Sequence, residues 1–142
     1  MTSVGNRRAA ASAFLAGALL LTTAPASEAA TTSGYPSGCG LSVYIGLPER
    51  GQVFGTSTTN CSFVVDSIRM ESKMYRSRWY GWEQVQQGSS FGTGKKSDHV
   101  TLGHGCAGTV HTYKLVTHGA VVVGGKEFTA SAYDQLERDI GC

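Results

Sequence analysis

The chain has 142 residues, a formal net charge of +2, 19 glycines, four cysteines and only 15% charged residues. A charge so close to balance gives no global electrostatic argument for a nucleic-acid or anionic-membrane partner. The length suits one domain with a modest core, which a few cross-links would help to stabilise.

The first predicted element is a secretory signal peptide over residues 1–29. Arg7 and Arg8 make a basic start, an apolar run follows from Ala9 to Ala24, and Ser27-Glu28-Ala29 offers a small-residue cleavage site. Its strongly apolar part, Phe14–Leu21, is well short of the roughly 20 residues that span a bilayer. The expectation is therefore a secreted, extracellular protein with no membrane association after cleavage. The alanine-rich style of the leader is bacterial. Removing it takes away Arg7, Arg8 and Glu28 and leaves the mature charge near +1.

Residues 30–38 read as a flexible polar lead-in, and residues 39–142 as a single disulfide-tied β domain. All four cysteines, Cys39, Cys61, Cys106 and Cys142, fall in this part. An even count in an exported small domain predicts two disulfides. Three connectivities are open, with Cys39–Cys61 and Cys106–Cys142 favoured because each closes a loop within its own half. Close C-x₂-C pairs, the mark of a structural zinc site, are missing, so neither a metal nor another cofactor is expected.

In chain order, Leu41–Leu47 predicts a strand and 48–51 a turn, with a short strand from Gln52. Cys61–Met74 alternates, Ile68, Met70 and Met74 facing one way and Arg69, Glu71 and Lys73 the other. That is the two-residue period of a half-buried strand. Gly88–Asp98 has the Gly/Ser composition of a loop. Strand character resumes at His99 and again over 108–118. Residues 119–133 predict a hairpin turning at Gly124-Gly125, and 133–139 allows a short helical turn. Turns recurring at about ten residues predict an all-β fold, an antiparallel β-sandwich of the immunoglobulin-like kind, with a small β-barrel as the alternative.

Three motifs tempt a catalytic reading. "GSSFG" (88–92) matches G-x-S-x-G around Ser90, but no helical pattern follows to build the strained elbow that exposes such a serine. "GTGKKS" has Lys96 where a phosphate loop needs Ser or Thr. His104, His111 and His118 lie seven residues apart, a spacing that reverses face along a strand. Neither a metal nor a catalytic site follows from them.

The densest feature is "YRSRWYGWEQ", Tyr75–Gln84, which holds both tryptophans. Continuing the parity of Ile68, Met70 and Met74 would bury Arg76 and Arg78, at high cost if they are unpaired. A bulge or turn near Tyr75 is therefore expected, placing Tyr75 and Trp79 in the core and the arginines outside. Arg76, Arg78, Tyr80 and Trp82 then form the candidate binding surface, of the residue types that dominate interface energetics. Stacked guanidinium–aromatic pairs would suit it.

"RSRWYGWE" and the downstream "CAGTVHTYKL" resemble a group of small exported two-disulfide β-proteins of actinobacteria. The resemblance implies secretion and a β-rich fold, and it assigns no site residues. Taken together, these features lead to a non-enzymatic extracellular domain that binds a protein or a glycan. An exported protease inhibitor or antagonistic factor presenting Lys95 or Lys96 on the 88–98 loop is the alternative, and a small secreted hydrolase a lesser one.

Overall fold

The computed structural model describes residues 28–49, 51–105, 110–136 and 140–141. The expected signal peptide falls almost wholly in residues 1–27, outside the described residues, as do Cys106 and Cys142. The described residues form eight strands: β1 (Glu28–Ser33), β2 (Cys39–Glu49), β3 (Gln52–Arg78), β4 (Gly81–Gly105), β5 (Val110–His111), β6 (Tyr113–Val123), β7 (Lys126–Gln135) and β8 (Ile140–Gly141). No helix occurs among the described residues. All pairings are antiparallel, in one six-stranded sheet plus the small β5–β8 ladder.

The sheet is organised by β3, which pairs with β4 along one edge and with β2 and then β6 along the other. A straight strand of its 27 residues would run about 90 Å. Instead the register with β4 jumps between Asn60 and Val65, and the extra residues on β3 bend it there. The inward set changes parity at the same place: Val53, Ser57, Thr59 and Cys61 before the bend, Ile68, Met70, Ser72 and Met74 after it. Both arms therefore turn their buried faces toward each other. Ser72 Oγ donates to Ser57 Oγ at 3.1 Å across that interior, and Thr117 of β6 hydrogen-bonds both. The result is one antiparallel sheet curled into a half-barrel. The small-barrel alternative fits this form; among the described residues the pairing does not confirm an immunoglobulin-like sandwich.

The core joins Ile45 and Val53 with Val65, Ile68, Met70, Met74, Tyr113, Leu115 and Val121. Close approach of the arms depends on Gly55, where an added Cβ would lie 2.6 Å from Leu115 Cδ2. Asp134, buried on β7, ties β2 to the far side of the curl by accepting the Ile45 N–H at 2.9 Å. Cys39 and Cys61 sit directly across the β2–β3 ladder and form the expected disulfide.

Three segments differ from expectation. Gly88–Asp98 is no loop: it belongs to β4 and pairs with β3, so tertiary pairing overrides its Gly/Ser composition. The lead-in carries β1, which pairs with β7 and is extended by a Gly34 N–H to Thr129 carbonyl bond of 3.0 Å. Tyr133–Gln135, the start of the expected helical turn, completes β7 because it pairs with β6, and 137–139 lies outside the described residues. The hairpin at Gly124-Gly125 forms as predicted, with φ of 58° and 77°.

Candidate functional site

The candidate stretch forms the closed end of the β3–β4 hairpin. Arg78 pairs with Gly81, so Trp79 and Tyr80 are the two turn residues. Gly81 takes φ 129°, and no described non-glycine residue has positive φ. The rings are thus presented on an unstrained backbone. Trp79 is 94% exposed, Tyr80 60% and Trp82 40%. Trp79 and Tyr80 stack edge to face, with centroids 5.3 Å apart.

Two expectations need correction here. Trp79 and Tyr75 are not in the core: the turn places Trp79 beyond the last ladder pair, and Tyr75, half-buried, lies beside Lys114 on the other face of β3 from Met74. Arg76 is not outside: β3 keeps its parity against β6 through Arg76, and its side chain is only 12% exposed, whereas Arg78 is exposed as expected. The irregularity expected near Tyr75 exists, but the extra residue lies on β4, where Met74 pairs with Gln86 and Tyr75 with Gln84. Arg76 tolerates this position because Glu83 stands directly opposite it. Glu83 Oε2 accepts from Arg76 Nη2 at 2.7 Å, from Arg76 Nε at 3.2 Å and from Arg78 Nε at 2.7 Å.

Hydrogen bonds from Arg76 and then Arg78 hold the Glu83 carboxyl below the usual carboxylate range, and the bond to Glu83 raises Arg76 in turn. Such charge-assisted bonds fix geometry as well as charge. The clamp braces the two strands immediately behind the aromatic turn. Stacked guanidinium–aromatic pairs are not seen among the described residues. The cation over the rings is Lys114 of β6, with Nζ 4.2 Å from the Trp82 centroid and 5.9 Å from that of Tyr75. Lys114 is registered opposite Tyr75, a neighbour that no local motif reveals.

The structure thus separates the four candidates into two functions. Arg76 and Arg78 brace the hairpin through Glu83, while Tyr80 and Trp82 join Trp79 and Tyr75 in an aromatic ridge edged by Lys114. Behind the clamp, the His104 ring lies 6.2 Å from the buried Tyr113 ring. Burial first, then the positive charge of Arg76, push His104 below the ordinary imidazole value, with Glu83 opposing.

The other tempting motifs resolve as structure. Ser90 pairs opposite Met70, with its hydroxyl buried and unpartnered, so it is no exposed nucleophile. Lys95 pairs with Asp98 at 3.6 Å within β4. His111 Nδ1 bonds the Ser77 carbonyl at 2.9 Å, and His118 Nδ1 bonds Ser131 Oγ at 2.7 Å. Among the described residues no group of three His, Cys, Asp or Glu side chains could hold a metal ion, and no helix is long and apolar enough to cross a membrane. No protein-family model and no curated protein matches the chain.

Proposed function

We propose that this is a secreted binding protein whose aromatic hairpin tip holds a hydroxyl-rich extracellular glycan. The observation that carries the reading is the exposure of Trp79 and Tyr80 on a braced two-residue turn together with Trp82 beside it on β4. Flat aromatic faces suit the C–H faces of sugar rings, and a tip already fixed by the Arg76–Glu83–Arg78 clamp loses little freedom on binding. The leader-like N-terminus, the Cys39–Cys61 disulfide and the likeness to small exported actinobacterial β-proteins support export.

A glycan fits better than a protein on grounds of area and surroundings. Aromatic side chains bury about 150–250 Å² each, so these three partly exposed rings offer about half of the ~800 Å² that a standard protein interface takes from each partner. The ridge is flanked by Ser77, Arg78, Gly81, Gln84 and Lys114, not by the apolar core of a protein interface.

Affinity electrophoresis through gels cast with chitin derivatives, soluble cellulose, xylan, starch or pectin tests the reading. Retardation by at least one polymer, abolished in a folded Trp79→Ala, Trp82→Ala double variant, is the expected result. Free migration of the native protein in all of them, or equal retardation of the variant, overturns it.

A further inference from the structure

We infer that the outer face of the curled sheet carries a second, polar subsite for the same glycan, in a groove centred on Glu71 and His118. This inference rests on the binding reading of the aromatic tip and extends it to a long, hydroxyl-rich chain. The groove has a volume of about 660 Å³ and is open to solvent.

Sheet register builds this groove. Ser89 of β4, Glu71 of β3, His118 of β6 and Ser131 of β7 are directly abreast on four adjacent strands. At strand spacings of about 4.8 Å, the row is about 14 Å wide. Its neighbouring row places Arg69 beside Ala120 and Thr129. Ala120, small and buried, makes the depression between the longer side chains.

The chemistry of the row is that of sugar recognition. Lys73 Nζ holds Glu71 Oε1 at 2.9 Å, and the hydrogen bonds from Lys73 keep that carboxyl below its ordinary range. The second carboxylate oxygen makes no bond among the described residues and can accept from a ligand hydroxyl. His118 uses Nδ1 on Ser131, which fixes the ring and leaves its other nitrogen for a ligand. Ser89 adds an exposed hydroxyl. Acceptors and donors thus alternate across the groove, with Lys73 and Arg69 offsetting Glu71 and Glu127.

A Ser–His–Glu row also contains the residue types of a nucleophilic triad, but here they serve binding. Ser131 and His118 lie in strands paired on both edges, so the surrounding backbone N–H groups are committed to ladders. No backbone donor pair is left there to stabilise an oxyanion, usually the largest single contribution to acyl transfer.

The groove and the tip share one face. Odd-numbered β3 residues after the bend point away from the core, taking the path from Arg69 and Glu71 through Lys73 and Tyr75 to Ser77, which pairs with Trp82. From Glu71 to Ser77 is about 20 Å along the strand. A ligand reaching both subsites must be an extended oligomer, and a single sugar or a disaccharide at the tip cannot touch Glu71.

Isothermal titration with a disaccharide and a hexasaccharide of the polymer that retards the protein in the gel assay tests this. Folding of each variant is checked by its melting curve. Glu71→Gln, with Ser131→Ala as an independent second change, is expected to weaken the hexasaccharide about tenfold, the share of one hydrogen bond to a charged group, and to leave the disaccharide unchanged. Trp82→Ala is expected to weaken both. If both groove variants bind the hexasaccharide as the native protein does while Trp82→Ala weakens it, the groove is refuted and the tip stands. If the native protein binds no saccharide, both readings fall.

Discussion

Replacing Trp79 by alanine separates folding from binding more cleanly than any other change in this chain. Truncating a buried Phe or Trp costs about 3–5 kcal/mol. With Trp79 94% exposed, its share of that figure is about 0.3 kcal/mol or less. Its edge-to-face contact with Tyr80 adds well under the 0.5–1.5 kcal/mol typical of such pairs, because both rings are largely in water. The variant should therefore unfold within about 0.5 kcal/mol of the native protein, the range of ordinary surface substitutions. Glycan affinity should fall by about 2 kcal/mol, some thirtyfold, as for an interface hot spot. Urea titration followed by tyrosine fluorescence and far-ultraviolet dichroism gives the first quantity, and titration calorimetry the second. A loss of stability above about 2 kcal/mol would show that Trp79 packs as a core residue. Unchanged affinity would show that the tip is not the contact surface.

Three further outcomes follow from the interior. Converting Cys39 and Cys61 together to alanine opens a loop with a sequence separation of 22, and chain entropy puts the loss at about 3 kcal/mol; a shift of the urea midpoint worth less than about 1 kcal/mol would show that the cross-strand pair is held without the bond. Thr117→Val removes a buried hydroxyl shared by Ser57 and Ser72, which still bond each other at 3.1 Å, so the cost should lie near 1 kcal/mol, the low end of the range for an unsatisfied buried group, as read by the same titration. His104 has its folded value depressed, so the unfolded chain takes up its proton first as pH falls. Its contribution to stability is full above the ordinary imidazole value near 6.5, declines as pH falls below it, and levels off below the folded value. Melting temperatures measured between pH 7.5 and 5 should show a decline that His104→Gln flattens; an unchanged decline in that variant would assign it to other groups.

Much of the fold is legible because its signals are local. Alternation at Ile68, Met70 and Met74 marks a face that is fully buried in the structure, and Gly124-Gly125 turns the β6–β7 hairpin as the chemistry of primed turns requires. The pairing of Cys39 with Cys61 follows from the short loop it closes. The curl is not legible in this way. It depends on a register jump between Asn60 and Val65, which lets one strand present odd residues before the bend and even residues after it. A reader of periodicity meets two patterns and infers two strands. Gly88–Asp98 misleads for a related reason: small residues there signal a loop locally, whereas β4 needs them where its arms close on each other, as at Gly88, whose added Cβ would meet Leu102 Cδ2 at 2.7 Å.

The errors at the candidate site share one physical origin, the position of the hairpin turn. Burial of Arg76 looks prohibitive when β3 is considered alone, since an isolated guanidinium loses its solvation. Once the chain turns at Trp79-Tyr80, Glu83 arrives across the ladder from Arg76 and within reach of Arg78, and the cost is offset by three bonds to one carboxylate oxygen. The same turn carries Trp79 out of the core. Gly81 is the local signal that locates it, the only glycine between Tyr75 and Gln87 and one that adopts φ 129°. Placing the turn before Gly81 pairs Arg76 with Glu83 by counting alone, and the aromatics then have nowhere to go but solvent. Charge pairing across the hairpin and aromatic exposure at its tip are therefore one arrangement: Arg76 buries itself against Glu83, Arg78 joins the same carboxylate from the solvent side, and together they hold the rings where a ligand can reach them.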